Sequence, residues 1–134
     1  MYKNILVAVK LEHARPAAPL LRRAAAVAEK GAVLTVMTVV PEISDNLKVL
    51  PEDSQPLLDK YVDGCDLDGI EVRTMLRKGS PHRLIPQVAE ELDADLIVMN
   101  SHNPRIRDYL LGSTAGHVVT HAQCNVLVIR QNAG

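Results

Sequence analysis

Leu96-Ile97-Val98-Met99-Asn100-Ser101-His102-Asn103-Pro104, then Gly112-Ser113-Thr114, then Val126-Leu127-Val128-Ile129-Arg130: this succession decides the fold of the chain. Residues 96–99 read as a buried-type strand that stops at Asn100, where a polar loop begins. Gly112-Ser113-Thr114 opens a helix over 113–121, and 126–130 is a second aliphatic strand. A junction of this kind leaves free backbone N–H groups and the positive end of a helix dipole at a sheet edge. Phosphate binds well in that setting.

The same pattern extends upstream. Ile5-Leu6-Val7-Ala8-Val9 is a continuous apolar run rich in β-branched residues, as expected of a strand covered on both faces. Residues 16–30 carry Leu20, Ala24, Val27 and Ala28 at helical spacing, and Gly31 is expected to stop that helix. A strand over 33–40 ends at Pro41. An irregular loop, a helix beginning at about Glu52 or Gln55 and reaching about Asp63, and an edge strand over 71–76 follow. Gly79-Ser80-Pro81 marks a helix start, with Ser80 as N-cap and Pro81 in the first turn; Pro86 inside that helix is expected to kink it.

The alternation β-α-β-α-β-α-β-α-β over 134 residues predicts one α/β domain spanning residues 1–134. Its parallel sheet is doubly wound, with helices on both faces. Ligands of such sheets bind beyond the carboxyl ends of the strands, where the winding reverses. The strand tips there are Ala8, Val9 and Lys10, Val39 and Val40, and Met99 and Asn100.

Composition narrows the function. Fifteen basic against sixteen acidic residues give a net charge of −1, and three tyrosines are the only aromatics. Neither a basic stripe nor a stacking platform is present, so nucleic acid is not an expected partner. No run is long enough for a membrane span or a signal-peptide core, and Cys65 and Cys124 form no paired motif. A soluble, cytoplasmic protein with reduced thiols is expected; a disulfide between the two is the less favoured alternative. His117 and His121 are four apart on a predicted helix, but a metal site needs a third ligand, and His13 and His82 belong to no motif. Glu90, Glu91, Asp93 and Asp95 read as a solvated helix end. No P-loop, dinucleotide fingerprint or nucleophile elbow occurs, so no catalytic residue is assigned and the chain is not read as an enzyme.

The chain resembles the universal stress proteins along nearly its whole length. The resemblance rests on the opening Lys3-Asn4-Ile5-Leu6-Val7-Ala8-Val9, Gly79-Ser80-Pro81, and Asp95-Leu96-Ile97-Val98-Met99. Gly112-Ser113-Thr114 and the closing His121-Ala122 to Arg130 complete it. It implies a five-stranded parallel sheet in the order 3-2-1-4-5, an ATP or AMP ligand, and no metal beyond a nucleotide-bound magnesium. It also implies a homodimer through the last strand, Val126, Leu127, Val128 and Ile129. The family's phosphate signature is a Gly-x-x-Gly pair followed by Gly-Ser. Here Asn100 and Asn103 stand for the two glycines, eight residues separate Asn103 from Gly112, and Gly112-Ser113 matches the final pair. Ser101, His102 and Pro104 resemble a variant loop without the glycines. Lys10 occupies the position after the first strand where nucleotide-binding members carry Asp.

Two functions follow as expectations. In the first, adenine lies against Ala8, Val9 and Val39 or Val40, and Gly112, Ser113 and Thr114 hold phosphate. Asn100, Ser101, His102 and Asn103 close over it, and the bound state regulates a partner in the stress response. In the second, the pocket is degenerate and the chain is a dimeric interaction module.

Overall fold

The structure is a computed structural model, and it describes residues 1–10, 18–40, 55–63, 67–101 and 113–130. Among the described residues nine elements alternate: β1 (Tyr2–Val9), α1 (Ala18–Ala26), β2 (Ala28–Val40), α2 (Gln55–Val62), β3 (Glu71–Lys78), α3 (Pro81–Glu91), β4 (Leu96–Ser101), α4 (Ser113–His121) and β5 (Asn125–Arg130). All four strand pairings are parallel, and the order across the sheet is β3-β2-β1-β4-β5. The order that the family resemblance implies is the order observed.

The strand periodicity of two divides the interior into two layers. Ile5 and Val7 of β1, Leu34 and Val36 of β2, and Leu96 and Val98 of β4 meet Leu20, Leu21, Ala24 and Leu58 of α1 and α2. Leu6, Met37, Ile97 and Met99 point the other way, onto Ile85, Val88 and Ala89 of α3 and Ala115 and Val118 of α4. Covered on both faces, the central strands have no polar side to show, hence their unbroken aliphatic runs.

Several boundaries differ from expectation. The first helix ends at Ala26 rather than running to Gly31, and the strand after it begins at Ala28. Val27 and Ala28 fit a helical stripe by spacing, yet they pair with the start of β1: the Tyr2 amide donates to the Val27 carbonyl at 3.0 Å, and Tyr2 is in register with Ala28. The register then moves from Tyr2↔Ala28 to Asn4↔Val33, so β2 bulges between these pairs. Gly31 sits in that bulge at φ +87, its amide donating to the Gly69 carbonyl at 2.7 Å. It serves the bulge and not a helix stop.

Ser80 and Pro81 take the N-cap and first-turn positions of α3, but the Ser80 hydroxyl makes no cap bond. Its Oγ lies 2.8 Å from Nδ1 of His82. Pro86 lies within α3, whose assignment continues through it from Pro81 to Glu91. The helix closes in a Schellman arrangement: Ala94 N–H donates to Ala89 O at 2.8 Å and Asp93 N–H to Glu90 O at 3.1 Å, with Asp93 at φ +54.

Asp95 has a role that its reading as part of a solvated helix end missed. Its carboxylate accepts the backbone amides of Lys3 at 2.8 Å and Asn4 at 3.0 Å. Its own amide donates to the Asn4 carbonyl at 2.9 Å, while the Asn4 side-chain amide donates to the Leu92 carbonyl. One side chain thus fastens the entry of β4 to the entry of β1.

Gly79 links β3 to α3 at φ +146, a region open in practice only to glycine, and its amide donates to the Val40 carbonyl at 2.9 Å. A Cβ there would also lie 2.9 Å from Cδ1 of Leu84. That methyl can swing aside, so the backbone dominates the cost. Gly79→Ala is expected to lower unfolding stability by about 2 kcal/mol. Urea denaturation checks this, and a loss under about 0.5 kcal/mol would contradict it.

Candidate functional site

The winding reverses between β1 and β4. From β1 the chain builds outward through β2 to β3, and then returns to the other side through β4 to β5. The register of β1 with β4 ends at Ala8↔Met99. Past that pair β1 continues beside β2 through Val9↔Thr38, and β4 beside β5 through Asn100↔Ile129 and Ser101↔Arg130. β1 and β4 thus stop pairing with each other at their carboxyl ends, the switch point where ligands of doubly wound sheets bind.

This corrects one expectation. The strand does not stop at Asn100: Asn100 and Ser101 are its last two residues, held in the ladder with β5. An aliphatic run marks where side chains are buried, whereas backbone pairing lasts as long as the neighbouring strand does. His102, Asn103 and Gly112 lie outside the described residues.

The structure also sorts the expected adenine-contacting residues. Ala8, Val39 and Met99 belong to the α3/α4 layer, whereas Val9 belongs to the α1/α2 layer. Alternation puts Val40 and Asn100 on the side of Val9. No single flat surface contains all of them. One group is Ala8, Val39 and Met99 with the first turn of α4, whose residues Ser113 and Thr114 are exposed and half-buried. That helix packs on the same layer through Ala115 and Val118. Its first-turn amides have no acceptor inside the helix, and the helix dipole adds positive potential to them. Lys10 is exposed at the end of β1. Cationic charge and the positive end of a helix dipole at one sheet edge favour an anion. A nucleotide's phosphate fits that donor set, and the apolar Ala8, Val39 and Met99 fit a base.

Thr38 is a residue that sequence reasoning missed. It is 4% exposed, and its Oγ1 donates to the Val9 carbonyl at 3.0 Å. The hydroxyl ties the last residue of β1 to β2 immediately before Lys10. A threonine in the middle of Val36-Met37-Thr38-Val39-Val40 was the available signal.

α3 and α4 also bring three histidines together. The rings of His117 and His121 stack with centroids 4.0 Å apart, and His82 meets His117 edge-on at 4.9 Å. Nδ1 of His121 lies 3.0 Å from the His117 carbonyl, to which it donates. Burial, then the charges of His121, His82 and Arg83, hold the His117 imidazole below its ordinary 6.5. The folded protein therefore binds this proton less readily than the unfolded chain. Stability is complete above the unfolded value and is lost as pH falls through 6.5 and then through the lower folded value. The urea midpoint is expected to drop between pH 7.5 and 5.5 by more in the parent chain than in His117→Gln. Equal drops would contradict it.

Cys124 is a free thiol. Burial pushes its pKa up and the Asp95 carboxylate adds to this, against a backbone hydrogen bond that lowers it, which disfavours the reactive thiolate. Cys65 lies outside the described residues.

A five-stranded parallel sheet wound outward in both directions from β1, with helices on both faces, defines an α/β protein of the doubly wound class. Residues 1–130 match the model of the Universal stress protein family, and the chain belongs to that family. It is 30% identical to Universal stress protein G of Salmonella typhimurium, with 97% of this chain and 100% of that protein covered. Of solved structures, hypothetical protein MJ0577 superposes with a TM-score of 0.80 at 25% identity, covering 100% of this chain and 99% of that one. The universal stress protein from Archaeoglobus fulgidus in complex with dAMP gives a TM-score of 0.70 at 28% identity, with 96% and 98% covered.

Proposed function

We propose that this chain is a cytoplasmic adenine-nucleotide-binding regulator of the stress response, with ATP or AMP as its ligand. The observation that carries the reading is the end of the β1–β4 register at Ala8↔Met99, the sheet's switch point. Ala8, Val39 and Met99 share a layer there with α4, and Lys10 is exposed just beyond β1. The solved relative from Archaeoglobus fulgidus, 28% identical, holds dAMP, which supports the same ligand class here.

Ser113, Thr114 and their amides hold phosphate, and Lys10 meets the same charge as a mobile cation. Lys10 has no acceptor for a ribose hydroxyl, so it biases the site toward phosphate and away from nucleoside. The reading contains no catalytic step: none of the residues placed here is a base poised to activate water. Native mass spectrometry of the purified chain, followed by titration with ATP, AMP and GTP, tests it. An adenine nucleotide bound in a one-to-one ratio is the expected result. No complex and no heat at about 1 mM nucleotide would overturn it.

A second reading has its own observation. β5 lies at the edge of the sheet, and Val126, Leu127, Val128 and Ile129 along it are each only half-buried. An aliphatic edge strand invites pairing with a second copy. In this reading the chain is a homodimeric interaction module and its pocket is degenerate. A monomer in sedimentation at micromolar concentration would contradict it.

A further inference from the structure

We propose that His82, His117 and His121 form a three-imidazole site for a divalent transition metal ion of the zinc type. It lies on the α3/α4 surface. His117 and His121 share one face of α4, the spacing at which two imidazoles can take one ion from a helix. The ligand that the sequence could not supply comes from α3. His82 is its second residue, and its ring centroid lies 4.9 Å from that of His117.

The hydrogen bonds around the rings fit ligation. Nδ1 of His121 is occupied by the His117 carbonyl, and Nδ1 of His82 lies 2.8 Å from the Ser80 hydroxyl, which is 3.4 Å from Nε2. With its Nδ1–H donated to the His117 carbonyl, His121 offers Nε2 as its lone pair, and His82 does the same in the tautomer that donates Nδ1–H to Ser80, the arrangement that orients metal-binding histidines. Three neutral nitrogens without a carboxylate select zinc, nickel or copper over magnesium or calcium, and water completes a tetrahedron. The rings are packed on one another in the described conformation, where no group of three potential ligands among the described residues converges on a common point. Binding turns His117 and His121 from stacked to convergent. His82 and His121 are exposed and His117 is half-buried, so the turn leaves the core untouched. Arg83 opposes the ion, but it is exposed and its charge is screened by solvent.

The test is calorimetric titration of zinc chloride into the full chain at pH 7.5, in buffer free of phosphate and nucleotide, with His82→Gln, His117→Gln and His121→Gln alongside. One zinc per chain is expected, and each substitution should weaken it about tenfold or more. The affinity should fall at pH 5.5, where protons compete for the rings. Zinc should raise the melting temperature of the parent chain, because the ion joins α3 to α4, and raise it less in His82→Gln. Melting of each variant without zinc establishes that it is folded. Unchanged affinity in His82→Gln would reduce the site to a helical pair and overturn the proposal. So would binding that survives loss of all three histidines, or no binding at about 1 mM zinc.

Discussion

Asp95→Ala is expected to lower the unfolding free energy by about 3 kcal/mol, a large share of the stability of a chain of this size. The carboxylate accepts two backbone amides, from Lys3 and Asn4, and charge-assisted bonds of this kind are the stronger class. Removing it leaves both donors at the start of the central strand without that acceptor. Asn4 would still bond to Leu92 and to the Asp95 amide, so the strand entry loosens rather than detaches. Asp95→Asn should fall between the two, because its amide keeps one acceptor oxygen and sets an N–H against the other donor. Urea midpoints of the three proteins, at constant slope, measure the series. A loss below about 1 kcal/mol for alanine would show that water replaces the carboxylate without cost.

The second large effect separates binding from stability. Ser113→Glu puts a carboxylate in the first turn of α4, where the helix dipole favours it by about 0.5 kcal/mol. The same charge repels a nucleotide's phosphates, at an expected cost of about 2 kcal/mol, or about thirtyfold in affinity for ATP. The melting temperature should therefore hold or rise while nucleotide affinity collapses. Affinity for ATP that survives this substitution would place the phosphates somewhere other than the α4 N-terminus. Because Ser113 is exposed, repacking of the interior does not confuse the result.

Much of this architecture is legible in the sequence because burial leaves a periodic trace. The run from Ile5 to Val9 and that from Leu96 to Met99 read as strands with both faces covered, and they are paired neighbours in the interior of the sheet. What stayed illegible depends on backbone partners or on distant neighbours. Ala28 fits a helical stripe, and only the register with Tyr2 reveals it as strand. Asn100 and Ser101 are polar, so their place in the β4–β5 ladder leaves no hydrophobic signal. Asp95 looks like one more acid after Glu90, Glu91 and Asp93, yet its partners lie more than ninety positions earlier. His82 reads as an isolated histidine until α3 is laid beside α4. The candidate binding residues divide in the same way. Their location at the strand tips follows from topology, but which face each one occupies depends on register, as Val9 and Ala8 demonstrate.

The strand nearest the start of the chain is the middle strand of the sheet, and its two neighbours come from opposite halves of the sequence. While the ribosome makes the chain, β1 can pair with β2, and β2 with β3, as soon as these emerge. Its other side then waits for residues 95–101, with the aliphatic edge of Ile5, Leu6 and Val7 uncovered. A nascent chain paused before Asp95 is therefore half a sheet with an open seam along its centre. That interval is when chaperone capture, or pairing with a second nascent chain, competes with the fold.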